Sequence, residues 1–333
     1  MSDIINVLNQ NLLSIIITFI GIFVAVIVIK LIKLIYHASQ LMSVTSTTSQ
    51  KPRNTKVISS SFKINPCRRF NGVELEVLST SNSISEETAD KLNFHKHYDG
   101  SLSSGGEEFS SYPMNGDILF KSIKEFCDKL IINKYTIDTS CGFHAHFQVP
   151  KNDLEYLKKI FFFYNLYEPL FYQLVSKSRK NNKFCSSINK TYPLNISKLM
   201  QCKTLIEFKK IIYQVDTSLE VKEEQQEHTS DKRYSWLNLH SIFYRGTLEI
   251  RLHNGTINPN KVLFWLKIHN EILDYLKINS LSNIMKLSPN KEKFLSIFCF
   301  KTRRYILERM QYLRYKQSKE YREDEINGGK INV

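Results

Sequence analysis

Three stretches of the chain alternate apolar and ionisable residues with a period of two. They are Val73-Glu74-Leu75-Glu76-Val77, Phe143-His144-Ala145-His146-Phe147-Gln148-Val149 and Leu248-Glu249-Ile250-Arg251-Leu252-His253. Successive side chains of a strand point to opposite faces, so this period marks half-buried strands. The apolar parity must meet a core. The other parity then places Glu74 with Glu76, His144 with His146 and Gln148, and Glu249 with Arg251 and His253 on one polar face.

A solvated sheet face is the plain account of any one such strand. Solvated faces, however, usually carry Thr, Lys, Ser and Gln, and like charges at Glu74 and Glu76 repel unless a cation lies between them. Taken together, the three strands point to a metal site. Carboxylates with one or two imidazoles suit the hard ions Mg²⁺ and Mn²⁺. Zinc held by His144, His146 and His253 is the competing arrangement.

Between the strands lie segments with helical period. Residues 116–132 align Ile118, Leu119, Ile123, Phe126 and Leu130, and residues 152–177 form a very aromatic helix. Residues 203–213 and 259–277 also have helical spacing, whereas 216–232 is so highly charged that it is expected to be an exposed loop. Strands interleaved with helices, without a strict βαβ rhythm, predict an α+β fold with an antiparallel sheet.

Near-ordinary composition, 42% hydrophobic and 23% charged, excludes bulk disorder and collagen-like chains. The six cysteines include no Cys-x-x-Cys pair, which argues against zinc ribbons and redox dithiols and leaves scattered free thiols as the expectation. The net charge of +14 is concentrated in two places. Lys30 to Arg69 holds eight Lys/Arg and no acid, and Lys301 to Arg322 is interrupted only by Glu308 and Glu320. Neither run interleaves with aromatics along a strand face, so nucleic acid is not an expected partner.

The first basic run has a simpler cause. Leu12 to Ile29 is uncharged and almost wholly aliphatic, and apolar residues continue to Tyr36. About 20 apolar residues span a bilayer core. Asp3 is the sole charged side chain before the run, and Lys30 follows it directly, which is unlike a secretory signal. A single-pass anchor at 12–36 follows. The positive-inside rule puts residues 1–11 outside and the body on the cytoplasmic or organelle-matrix side. Residues 37–60 form a Ser/Thr-rich basic tether, 61–278 the globular body, and 279–333 a basic helical extension that packs or lies on a surface.

Other candidates come singly. Asp99-Gly100 and Gly105-Gly106 mark turns, and Glu108 or Glu107 adds a carboxylate at the start of a strand. Arg179 and Arg233 are candidate phosphate clamps, because a guanidinium makes paired bonds to phosphate oxygens. Cys141 reads as a small packing residue.

The ordered series FNGVELE, DGSL, EEFSSYP, CGFHAHF, SRKNNKFC, RYSWLN and LEIRLHNGT, from Phe70 to about Trp265, resembles the putative amidoligase family. These are carboxylate–amine ligases related in fold to glutamine synthetase and glutamate–cysteine ligase. The resemblance implies a glutamine synthetase-like antiparallel curved sheet packed on helices. It implies divalent metal on Glu74, Glu76, Glu108, His144 and Glu249. Nucleotide contacts would come from Arg251, Arg179, Arg233, Asn238 and Ser111, with Arg179, Arg251 and His144 acting in catalysis. The implied cofactors are ATP and Mg²⁺ or Mn²⁺, and the implied reaction joins a carboxylate to an amine, such as those of amino acids or peptides, through an acyl phosphate. One departure is Ser111-Tyr112-Pro113, a residue longer than the family's Ser-Pro. The alternatives are the zinc hydrolase and an inactive family member that binds a partner at the membrane. The sequence leaves the oligomeric state open.

Overall fold

The computed structural model describes residues 69–79, 82–100, 102–103, 106–180, 182–227 and 230–326, with only the backbone at 318 and 320–326. All belong to the unit Ser60–Val333. The expected anchor at 12–36 and tether at 37–60 lie outside the described residues. Among the described residues no helix is long and apolar enough to cross a membrane.

The fold is mixed α+β, built on one six-stranded sheet. Its strands are β1 (Asn71–Leu78), β2 (Phe94–His97), β3 (Gly106–Ser111), β4 (Gly142–Gln148), β5 (Leu237–Asn238) and β6 (Thr247–Asn254). They lie in the order β2-β3-β1-β4-β6-β5, and every neighbouring pair is antiparallel. The helices of nine residues or more are α1 (Gly116–Ile132), α2 (Leu154–Phe171), α3 (Leu205–Tyr213), α4 (Ser218–Gln226), α5 (Pro259–Ile278) and α6 (Phe300–Ile326).

Period-two patterning puts Val73, Leu75 and Val77 of β1, Phe143, Ala145 and Phe147 of β4, and Leu248 and Ile250 of β6 into one continuous core. Helices α1 and α5 cover this face. Phe126 of α1 stacks on Phe94 and meets Phe109 edge-on, and His269 of α5 lies against Phe147. Helix α2 packs behind them through Tyr164 and Phe171, which flank the same His269 ring. Burying each such large apolar side chain is worth about 1.5–3 kcal/mol.

Two helical details differ from expectation. Ile118 is exposed, and the buried stripe of α1 is Leu119, Ile123, Phe126 and Leu130 joined by Ser122 and Cys127. The stripe i, i+3, i+4 runs from Leu119, which leaves Ile118 on the flank. The charged segment 216–232 is not all loop but contains α4. Its start is fixed by a capping box in which the Thr217 hydroxyl accepts from Glu220 N and the Glu220 carboxylate accepts from Thr217 N. A helix whose side is largely solvated gives no hydrophobic period to find, and only Val221 is buried.

The C-terminal segment shares the same core. Phe294, Phe298, Ile306 and Met310 are buried in it, and Arg309 of α6 donates to Leu174 O at 2.6 Å. The basic side chains Arg304, Lys316 and Lys319 ride on the outside of that packed helix.

The candidate active site

The polar parity of the sheet faces a cleft of about 530 Å³. Strand register does the assembling. Glu74 is the cross-strand partner of His144, Glu76 of Glu108, and His146 of Glu249. Residues distant in sequence are thus brought to adjacent positions on β3, β1, β4 and β6.

His144 answers the question of what separates Glu74 from Glu76. Its Nδ1 lies 2.9 Å from Glu74 Oε2 and its Nε2 lies 3.3 Å from Glu76 Oε1. His146 Nε2 reaches Glu74 Oε1 at 3.1 Å, and its Nδ1 is held 2.9 Å from the Thr247 hydroxyl. Gly142 closes the floor. Its N–H donates to Glu76 Oε2, and a Cβ there would lie 3.0 Å from His144 Nε2 and 3.1 Å from both Arg179 Nη2 and Glu76 Oε2. A side chain there would press on all three groups.

Glu249 accepts from Asn238 Nδ2 at 2.7 Å and from Arg251 Nη1 at 2.5 Å. Arg251 Nε also donates to Phe184 O at 3.1 Å, so the guanidinium is fixed before any ligand arrives. Arg245 and Arg233 line the same cleft, and Arg245 Nη1 lies 3.2 Å from Glu74 Oε1.

The electrostatics follow from this crowding. Burial opposes charge on Glu74, yet His146 and His144 hold its carboxyl well below the usual range. Burial opposes charge on Glu249 too, and Arg251 and His146 overcome it. His146 is disfavoured as a cation by burial but raised by Glu74 and Glu249. Glu108 is governed by acids instead. Burial, reinforced by Glu74, Glu76 and Asp99, pushes its carboxyl up to about 8.

Two groups of three donors have ligand atoms all within 4.8 Å of one another: Glu74, His146 and Glu249, and Glu76, Asp99 and Glu108. A carboxylate pushed up to about 8 by its acidic neighbours is a group that a cation would relieve. Mostly oxygen donors with one imidazole suit Mg²⁺ or Mn²⁺. The residues present therefore fit hard divalent ions.

The structure sorts the sequence candidates. Glu74, Glu108, His144, Arg233, Asn238, Glu249 and Arg251 all line the cleft, and Glu76 joins them through His144 and Gly142. Of the two adjacent acids it is Glu108 that faces in. Glu107 points to the other face, where it meets Lys96 Nζ at 2.9 Å and the Tyr135 hydroxyl at 2.7 Å.

Three expectations need correction. His253 is not beside Glu249 and Arg251. Partners run from Phe143↔His253 to Ala145↔Ile250, two steps on β4 against three on β6. This β-bulge turns the imidazole to the apolar side, edge-on to Phe143 and Trp265. The zinc set built on His144, His146 and His253 is thereby lost. His144 lies in the cleft with its ring nitrogens against Glu74 and Glu76, and His146, not named among the metal ligands, joins Glu74 and Glu249 in a donor triad. Ser111 has the wrong parity. Its hydroxyl accepts from Val73 N at 2.9 Å and laces β1 to β3 outside the cleft. Arg179 lies behind the wall, 2% exposed, with Nη2 donating to Arg251 O at 2.7 Å. From there it positions the β6 backbone under Arg251 and meets the Gly142 floor beside His144 and Glu76, without lining the cleft itself.

Asp99, Arg245, His240 and Tyr244 line the cleft and were missed as site residues. Asp99 had a signal in its Asp-Gly turn, but the other three sit on or just after the short helix His240–Tyr244, which has no distinctive pattern.

A family model described as "Putative amidoligase enzyme" matches residues 108–273. The chain belongs to the amidoligase family. The match spans Glu108, His144, His146, Asn238, Glu249 and Arg251, while Glu74 and Glu76 lie before it and enter the amidoligase site through the register of β1. The family makes this an enzyme of the ligase kind, acting broadly on carboxylates and amines. No curated protein and no solved structure matches the chain.

Proposed function

We propose that the cleft is the active site of an ATP-dependent carboxylate–amine ligase on a glutamine synthetase-like sheet. The observation that carries this reading is the convergence, on one sheet face, of two triads of cation donors with three guanidinium groups. A polyanionic nucleotide needs both. A substrate carboxylate oxygen would attack the γ-phosphorus of ATP, breaking the bond to ADP and forming an acyl phosphate. The amine nitrogen then attacks the acyl carbon, phosphate leaves with the carbon–oxygen electron pair, and the nitrogen releases a proton.

Mg²⁺ or Mn²⁺ on Glu74, His146 and Glu249 and on Glu76, Asp99 and Glu108 would supply screening of the crowded phosphate oxygens. The chain's own groups do the rest. Arg251, fixed by Glu249 and Phe184 O, offers a preorganised charge to the transferring phosphoryl group. Arg233 and Arg245 add charge along the same wall. His144 holds Glu74 and Glu76 apart and in place. No covalent protein nucleophile is required.

The apolar run before Lys30 supports a single-pass anchor at 12–36, with the amidoligase body on the cytoplasmic or matrix side, where ATP is available. The deciding experiment incubates the full-length chain with Mg²⁺-ATP and pools of acids and amines. ADP release that requires both an acid and an amine is the expected result. ADP release indifferent to the amine, or zinc-supported hydrolysis without ATP, would overturn the reading. Alkali-resistant membrane association that disappears on deleting residues 1–36 checks the anchor.

A further inference from the structure

The imidazole of His146 is gripped at both ends. Thr247 and Glu249 are two apart on β6, so both project from the same face of that strand. His146 of β4 lies across from Glu249, which puts Thr247 on its diagonal. The Thr247 hydroxyl lies 2.9 Å from His146 Nδ1, and the other ring nitrogen, Nε2, lies 3.1 Å from Glu74 Oε1. The ring is thus held at one end by a neutral hydroxyl and turned at the other toward the carboxylates of its triad.

The hydroxyl is itself held. Ser241 Oγ lies 3.4 Å from Thr247 Oγ1. The backbone N–H of the same Ser241 donates to Asn238 Oδ1 at 3.1 Å, and Asn238 Nδ2 donates to Glu249 Oε2 at 2.7 Å. Ser241 and Asn238 are both buried. A chain of bonds therefore runs from His146 through Thr247, Ser241 and Asn238 to Glu249 and joins two of the three donors from behind. An imidazole gives a cation its unprotonated nitrogen, so the proton must stay on the other one. Nδ1 keeps that proton where an acceptor stands ready, and the Thr247 oxygen is the acceptor in place.

We propose that Thr247 is the positioning residue of the Glu74, His146 and Glu249 triad: it keeps the proton on His146 Nδ1 and so leaves Nε2 as the nitrogen that a divalent cation takes. The inference rests on the cation assignment in the ligase reading above. It adds a residue outside the donor set that decides whether the set is complete. A hydrogen-bond partner behind a ligating imidazole governs metal affinity by about 10–100-fold. A merely structural role would not need the oxygen, because valine has the same branched shape and suits a strand as well.

The test uses the full-length chain with Mn²⁺ alone as the probe. Titration followed by electron paramagnetic resonance gives the affinity, and pulsed measurements detect the nitrogen coupling of a manganese-bound imidazole. Thr247→Val should weaken the nitrogen-coupled ion about 10–100-fold and leave the ion on Glu76, Asp99 and Glu108 at its native affinity. Thr247→Ser should retain both the affinity and the coupling, because it keeps the hydroxyl. His146→Gln should abolish the coupling; its persistence would mean that another imidazole is the ligand and would overturn the proposal. Native affinity in Thr247→Val would overturn it and leave the ligase reading standing. Equal weakening of both ions, or failure of Thr247→Ser, would also overturn it, since Thr247 would then be holding the strand and not the ring. A native chain that binds no Mn²⁺ would bring down the cation assignment together with this inference.

Discussion

Glu76 and Glu108 stand directly opposite each other across the β1–β3 ladder. A sheet ordinarily avoids a like-charged pair at that position, where such a pair is destabilising by up to about 1 kcal/mol. Here Glu76 is buried and Glu108 half-buried, and Asp99 completes the group. The metal-free fold therefore carries a local cost that a bound cation would remove. Mg²⁺ or Mn²⁺ should raise the melting temperature of the native chain, and EDTA should reverse it. Glu108→Gln should melt higher than the native chain in EDTA and gain much less from the cation. Melting curves of both proteins that ignore divalent ions would sink the metal assignment.

The adjacent acids separate catalysis from stability. Glu107 and Glu108 are neighbours in sequence but lie on opposite faces, one bonded to Lys96, Tyr135 and Ser83 and the other facing the cleft. Glu107→Gln should keep acid- and amine-dependent ADP release and lose about 1 kcal/mol of stability from its half-exposed ion pair. Glu108→Gln should abolish ADP release while remaining folded. The measurement is ADP release alongside urea unfolding for each variant. The reverse pattern would show that the register of β3 has been misassigned.

The period of two made most of this site legible in the sequence. Glu74, Glu76, His144, Glu249 and Arg251 fall where alternation puts them, because a strand leaves no freedom in the direction of a side chain. The same rule was available for Ser111, which shares its parity with Phe109, and it would have removed that residue from the site. His253 was illegible for a different reason: one extra residue in β6 reverses the parity, and nothing in LEIRLHN marks a bulge. Arg245 and Tyr244 reach the cleft from a short helix and turn whose position depends on tertiary packing. Arg179 has the right charge and the right neighbourhood, but its chain approaches from behind the wall, which no local pattern records.

Buried neutral histidines set a pH dependence. Burial among rings pushes His269 down to about 3, burial and Arg309 hold His253 well below its ordinary range, and burial lowers His240. In the unfolded chain each titrates near 6.5. A depressed histidine contributes stability in full above about pH 6.5 and loses it as the pH falls toward its folded value, because only the unfolded chain takes up the proton. For His269 the loss at pH 5 is about 2 kcal/mol. Unfolding free energies at pH 7.5 and 5.0 should therefore fall more steeply for the native chain than for a His269→Leu/Tyr164→Phe double variant. That variant removes the imidazole and the hydroxyl that bonds it at 2.8 Å. Equal slopes would mean that His269 is not buried as a neutral ring.

Two glycines on the floor of the cleft make a paired test of how tightly the site is packed. A Cβ on Gly142 would enter the space between His144, Arg179 and Glu76 at 3.0–3.1 Å, and each of these groups is buried and already bonded, so making room means moving a bonded group. A Cβ on Gly72, on the same face of neighbouring β1, would meet His146 Cβ at 3.6 Å and Ser111 Oγ at 3.8 Å, which is ordinary contact. Gly142→Ala should thus displace the Glu76–His144 pair. A shift of that kind costs about 100-fold in turnover, and the overpacking costs about 1–3 kcal/mol of stability. Gly72→Ala should stay within about 1 kcal/mol of the native chain and keep its turnover. Steady-state ADP release and urea midpoints for the two variants measure both effects. Equal turnover in both would show that the Glu76–His144 geometry does not govern the reaction, and the acidic wall would then have to act through Glu74 and Glu249 alone.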